Sequence, residues 1–302
     1  MKRPGPQAPV ARRAYPAMPL EVIDVHAHCF AGPGDTARVA DGLAAARAAG
    51  LRHMVVVGLV NTRLDREGLW SLIPGYVDHR GDPLGHEAAL LLELARRHAP
   101  TLLPFVDTRH LWGDVPALLS RYLEQGFRGI KGIYLADGGN DLGVGSVPDA
   151  FGVCLRDYQR REWEIFAFAA ARDLPVVYHM DARRYGDVMT ALLQDFPGVR
   201  VDFAHFGIGR GAFRKFLDRY PNVYTDLASM LPHVRRDPAG YRDFLLHYPD
   251  RVCFGSDAFV YTAELACAYI GMVRELRLPE DVEARIFSEN PRRFLGAALP
   301  VE

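Results

Sequence analysis

Residues 22–30 read VIDVHAHCF, an apolar run that ends in two histidines one residue apart. A β-strand sends alternate side chains to opposite faces, so His26 and His28 project together while Ala27 points away. Two neutral imidazoles side by side make a poor core pair. Each needs a hydrogen-bond partner if buried, and neither covers the apolar surface that a Val or Ile would. Two readings stand at this point, plain packing or ligation of a divalent metal, and the rest of the chain decides between them.

Outward from this strand the pattern alternates. After EVIDVH (21–26) comes the helical stripe TARVADGLAAARAAG (36–50), with Val39, Leu43 and Ala46 on one face and Gly50 as a stop. Then RHMVVVGLV (52–60) reads as a buried strand. The cycle recurs through strands TLLPFVD (101–107), FRGIKGIY (127–134), LPVVYHM (174–180), VRVDFAH (199–205), NVYTDLA (222–228) and RVCFGSD (251–257). Helical patterns such as GHEAALLLELARRH (85–98), QRREWEIFAFAAARD (159–173) and AGYRDFLLHY (239–248) separate them. Eight short apolar strands, each followed by a helix, predict an α/β fold in which a parallel sheet closes into a (β/α)8 TIM-like barrel. Further helices around 261–276 and 280–296 cover the last edge.

No linker divides the chain, so residues 20–302 read as one barrel domain, preceded by a loose tail over 1–19. That tail holds five prolines and the basic residues Lys2, Arg3, Arg12 and Arg13, with no apolar run fit for a signal peptide. No stretch approaches the apolar length of a membrane span. The 36 basic and 37 acidic side chains nearly cancel, which argues against a nucleic-acid surface or an anionic membrane as partner. Cys29, Cys154, Cys253 and Cys267 are widely spaced without a Cys-x-x-Cys pair, the usage of reduced thiols in the cytoplasm. The expected partner is a small-molecule substrate, with a homodimer as the default assembly of such barrels.

Two connections are longer than the rest, 61–83 with Trp70, Pro74 and Tyr76, and the Gly-rich 136–157. Both follow strands and so lie over the carboxyl face, where barrels of this kind build their sites. The same face receives His26 and His28 from the first strand, Lys131 from the fourth, His179 from the fifth, His205 from the sixth and Asp257 from the eighth. Each alone has a bland explanation. Together, four imidazoles and a carboxylate at corresponding strand ends form a nitrogen and oxygen donor set that zinc, manganese or iron accepts.

At these residues the sequence resembles the amidohydrolase superfamily, and within it the amidohydrolase-2 branch, from about residue 21 to 296. The carriers are DVHAH (24–28), GFRGIKG (126–132), LPVVYHMD (174–181), VDFAHFG (201–207), NVYTDLAS (222–229), RVCFGSD (251–257) and ENPRRFLG (289–296). The resemblance implies a distorted barrel in which His26, His28, His179 and Asp257 hold one divalent ion, zinc first, with Mn2+ or Fe2+ as alternatives. It places His205 beside that ion, to polarise substrate or orient water. A metal with three neutral histidines and one carboxylate keeps positive charge, so its water ionises near neutral pH, and Asp257 can carry the proton to a leaving group. The implied activity is hydrolysis of an amide, lactone or related carbonyl bond. Relatives in this branch also decarboxylate aromatic or unsaturated acids, which makes a metal-dependent decarboxylase the alternative; His26, where many such decarboxylases carry Glu, favours hydrolysis. A barrel that has lost catalysis and only binds is a third reading, against which the complete donor set stands.

Lys131 raises its own question, because only Lys2, Lys131 and Lys215 among the basic residues are lysine. Unlike Arg, Lys can lose its proton or carry a carbamate. A carbamate bridging two metals, a contact to a substrate carboxylate and a structural ion pair all remain open. Arg63, Arg109 and Arg183 follow strands on the active face and are candidates to clamp a carboxylate, with Tyr178 as a candidate pocket wall. Cys29, beside the histidines, reads as pocket wall rather than nucleophile.

Overall fold

The computed structural model describes residues 21–78, 80 and 87–300, so the 1–19 tail lies outside the described residues. The alternating order appears as β1 (Val22–His28), α1 (Thr36–Ala48), β2 (Leu51–Leu59), α2 (Glu87–Arg97), β3 (Leu102–Asp107), α3 (Val115–Gln125), β4 (Gly129–Ile133) and α4 (Leu155–Arg172). It continues through β5 (Val176–His179), α5 (Gly186–Asp195), β6 (Val201–Phe203), α6 (Arg210–Arg219), β7 (Val223–Asp226), α7 (Pro238–His247), β8 (Val252–Cys253), β9 (Ala258–Phe259) and α8 (Leu265–Glu275). Local chemistry sets the bounds of these elements. In α3, for example, the Asp114 carboxylate accepts from Ala117 N–H at the start, and Gly126 takes a left-handed φ of 117° at the end.

All strands run parallel in the order β8-β7-β6-β5-β4-β3-β2-β1-β9. The ends of that order, β8 and β9, are two halves of one segment interrupted at residues 254–257. Val25 N–H donates to the Phe254 carbonyl and Asp257 N–H to the His26 carbonyl, so this eighth segment joins β7 to β1 and closes the barrel. Strand parity then divides the core. Ile23, Val25, Val55, Val57, Leu103, Phe105, Val177, Tyr224 and Cys253 fill the interior with Phe294 and Leu295 of the closing helix (Asn290–Leu295). Val22, Ala27, Met54, Val56, Tyr178 and Phe203 face the surrounding helices. The apolar plug occupies the amino end, which leaves the carboxyl end for polar groups.

The first strand departs from plain alternation. Asp24 pairs with Met54 and Ala27 with Val56, so Val25 and His26 together oppose the single residue Val55. This is a β-bulge, and it reverses the parity of everything after it. Without it, a strand that turns Ile23 and Val25 inward would turn His26 and His28 outward. Asp24 secures the irregularity: its carboxylate accepts from His26 N–H (3.0 Å), Ser256 N–H (3.2 Å) and Ser256 Oγ–H (2.5 Å). The shared face of His26 and His28 follows from strand period alone, but the bulge decides that the face is the interior.

Candidate metal centre

The interior of the carboxyl end is a chamber of about 170 Å³ whose walls include His26, His28, Arg109, Lys131, His179, His205, Ser229 and Asp257. Leu142, His179, His205, Ser229, Asp257 and Tyr76 also border an outer vestibule of about 470 Å³. The two long connections supply its roof, through Pro74, Tyr76 and Val77 from one and Leu142 from the other.

Hydrogen bonds orient the imidazoles. His26 Nδ1–H donates to Asp226 Oδ2 at 2.8 Å, which leaves Nε2 as the bare nitrogen. The Lys131 ammonium, a pure donor, lies 3.2 Å from that Nε2 and identifies it as an acceptor. His205 Nδ1–H donates to the Ala228 carbonyl at 2.8 Å, so its Nε2 is bare as well. Donor atoms of His26, His205 and Asp257 all lie within 4.8 Å of one another. His28 Nε2 and His26 Nε2 stand 3.1 and 3.6 Å from Asp257 Oδ1. His179 stacks edge-on against His205 with ring centroids 5.3 Å apart, and its Nε2–H donates to Asp141 Oδ2 at 3.0 Å.

Electrostatics favour the neutral form of His26, His28 and His179. Burial, reinforced by the Lys131 ammonium, pushes His26 down to about 3 against the pull of Asp226 and Asp257. Burial likewise lowers His28 and His179, opposed by Asp257 and Asp141 respectively. Burial also works against the Asp257 carboxylate, yet His26, the His28 hydrogen bond and His205 hold it well below the usual range. Asp226 is held low in the same way, burial being outweighed by His26 and its bond. Burial lowers Lys131, while Asp257, Asp107 and Asp226 oppose the shift. Imidazole nitrogens, two of them with Nδ1 tied so that Nε2 is bare, around an ionised carboxylate are the donor set a divalent cation takes, and the residues present fit such an ion.

Strained backbone delivers several of these groups. His205 lies not on β6 but in a left-handed turn beyond it, where His205, Phe206, Gly207 and Ile208 have φ of 57, 55, 53 and 62°. Ser229 (φ 55°) and Asp257 (φ 58°) share that conformation. Non-glycine residues avoid it at a cost of about 1–3 kcal/mol each unless the surroundings enforce it, and functional sites are where such strain collects. His205 N–H bonds Asp226 Oδ1 (2.9 Å), so Asp226 anchors this turn and His26 at once.

Among the expected substrate contacts, Lys131 and Arg109 line the chamber, Arg109 with Nε and Nη2 on Asp107 and Nη1 on the Leu72 carbonyl. Arg183 borders only the vestibule and is paired with Asp181. Arg63 stands outside both, exposed, 6.0 Å from the Trp112 ring. Tyr178 requires a correction. His179 faces inward, so Tyr178 must face outward; it packs over Gly132, where a Cβ would meet its ring at 2.2 Å, and its hydroxyl donates to Glu162 Oε2 (2.5 Å) on α4. Cys29 is outward for the same reason and belongs to the outer core instead of the pocket wall. Asp226, Asp141 and Ser229 join the site without standing among the residues the sequence pattern singles out. The inward parity of the final residue of NVYTD signalled Asp226, whereas nothing in the loop sequence signalled Asp141.

A parallel barrel with a histidine and carboxylate centre at its carboxyl end defines the class of protein. The chain belongs to the amidohydrolase family, whose Amidohydro_2 sequence model matches residues 23–297. A comparison with curated proteins returned no match. Among solved structures, an uncharacterized TIM-barrel protein from Bordetella bronchiseptica superposes with a TM-score of 0.62 at 17% identity, covering 92% of this chain and 99% of the other. The phosphotriesterase homology protein of Escherichia coli, solved with phosphate in its active site, gives 0.60 at 14% identity over 92% and 99%. Agrobacterium tumefaciens ATU3138 gives 0.54 at 18% identity over 93% and 97%. At these identities the likeness is one of fold.

Proposed function

We propose that the chain is a metal-dependent hydrolase that opens an amide, lactone or related carbonyl bond of a small molecule. One observation carries the reading: Nδ1–H bonds lock His26 and His205 so that both bare Nε2 atoms converge with the Asp257 carboxylate. His26, His28, His179 and Asp257 would hold one divalent ion, zinc by preference, with His205 in the same group. Once bound, such an ion supplies a Lewis acid that polarises a carbonyl and makes water acidic near neutral pH.

The chain's own groups do the rest. The Ser229 hydroxyl donates to Asp257 Oδ2, which fixes the carboxylate with Oδ1 toward His26 and His28. So placed, Asp257 takes a proton from water and returns it to the leaving group. His205, tethered at Nδ1 and through its backbone, orients the reacting carbonyl. Lys131 and Arg109 offer N–H donors to the developing oxyanion or to a substrate carboxylate, and the bond to Asp107 keeps Arg109 from collapsing into the chamber.

The test is turnover of a panel of lactones and amides in ¹⁸O water, with metal content measured by elemental mass spectrometry. One equivalent of metal and one ¹⁸O in the product acid are expected. In Asp257→Asn, turnover should drop by about 10²-fold or more, a general-base loss. A near wild-type rate in that variant removes Asp257 from the mechanism. Carbon dioxide released without ¹⁸O-labelled acid transfers the chain to the decarboxylases.

A further inference from the structure

The strand-borne site leaves Asp141 unexplained. It rides on the connection between β4 and the short helix Val147–Phe151, and both carboxylate oxygens approach His179 Nε2, at 3.0 and 3.3 Å. The loop that carries it is braced. Asn140 Nδ2–H donates to the carbonyls of Asp137 (2.9 Å) and Val144 (3.1 Å), Gly145 N–H donates to the Ser71 carbonyl (2.7 Å), and Arg184 pairs with Asp137. The next residue, Leu142, forms part of the chamber wall, and the Asp141 side chain is only 22% exposed. The braced loop therefore holds Asp141 on the wall of the vestibule, against His179.

His179 Nε2 has one valence to give. It either carries the proton that Asp141 accepts or offers a lone pair to an ion, never both. When an ion takes that lone pair, Asp141 loses its donor while its carboxylate stays in a largely buried wall beside a new cation. A carboxylate oxygen 3.0 Å from the ligating nitrogen stands at the separation of two ligands of one ion, and pairing with that ion replaces the lost donor. We propose that Asp141 is a loop-borne ligand of the same ion that His179 binds. The inference rests on the metal reading above. Ligation by Asp141 would also tie the roof loop to the centre.

Cobalt(II) alone is the probe, loaded into wild type, Asp141→Asn and Asp141→Ala, with visible absorption and release to excess chelator as readouts. All three proteins should bind the ion. The d–d bands should intensify in the variants as one ligand is lost, and release should speed up by about tenfold or more, the scale of a lost ligand-shell contact. Spectra and release rates that superimpose across the three proteins overturn the Asp141 assignment and leave the hydrolase reading intact. Wild type that takes up no cobalt overturns both. Asn is nearly isosteric and sits on a surface connection, so Asp141→Asn keeps the test open if the alanine variant fails to fold.

Discussion

Asp226 shows how much one buried carboxylate decides. One oxygen fixes the His26 tautomer, and the other accepts from the backbone N–H of His205 and Ala228. In Asp226→Asn the amide nitrogen can donate to His26 Nδ1, which moves the imidazole proton to Nε2 and blocks the ligating position. Zinc affinity should fall about 10–100-fold with little change in the circular dichroism spectrum, measured by competition with a chromophoric chelator. Unchanged affinity would show that His26 does not ligate through Nε2. Tyr178 teaches the converse. It is adjacent to His179 in sequence, yet one residue of strand parity puts it on the opposite side of the sheet, in a buried pair with Glu162.

At the scale of elements, the β1 bulge and the left-handed turn after β6 turn ordinary strands into a site. Asp24→Ala would leave the N–H groups of His26 and Ser256 buried without that acceptor, and stability should fall by about 1–3 kcal/mol, read as a lower urea midpoint at constant slope. Asp24→Asn keeps an acceptor oxygen and should lose less. The start of α2 carries a second buried carboxylate, Glu87, which accepts from Leu59 N–H at 3.0 Å and which burial pushes up to about 7 from an ordinary 4.5. Between those values the folded state holds a proton that the unfolded chain has released, so stability is full below about 4.5 and declines as pH rises through 7. Glu87→Gln has no proton to lose. It should match wild type near pH 4 and exceed it near pH 8, by an amount on the order of 3 kcal/mol. Parallel melting curves for the two proteins across this range would count against the buried, protonated carboxylate.

At the scale of the molecule, the proposed ion ties together β1, β5, the turn after β6 and the segment after β8, strands from around the closed ring. An ion that binds only the folded state stabilises it by about 2.7 kcal/mol at a hundred times its Kd. Melting temperature should therefore rise with added zinc and fall after chelation. Equal melting temperatures for the loaded and stripped protein would mean that the centre does not hold an ion. Among the described residues no helix is long and apolar enough to cross a membrane.

The alternation of apolar runs and amphipathic stretches was enough to determine the barrel, since each pattern reports which faces must leave water. The spacing of His26 and His28, and the chemistry of His179, His205 and Asp257 at strand ends, likewise made a candidate metal centre legible. Tertiary structure alone decided which way those side chains face. A bulge at Val25 and His26 resets parity, a left-handed turn carries His205 past the end of its strand, and Asp226 and Asp141 meet their histidines from 200 and 38 residues away in the chain. None of this is periodic. Each depends on where backbone N–H groups find acceptors after the ring closes, and that is a property of the assembled barrel and not of any local stretch.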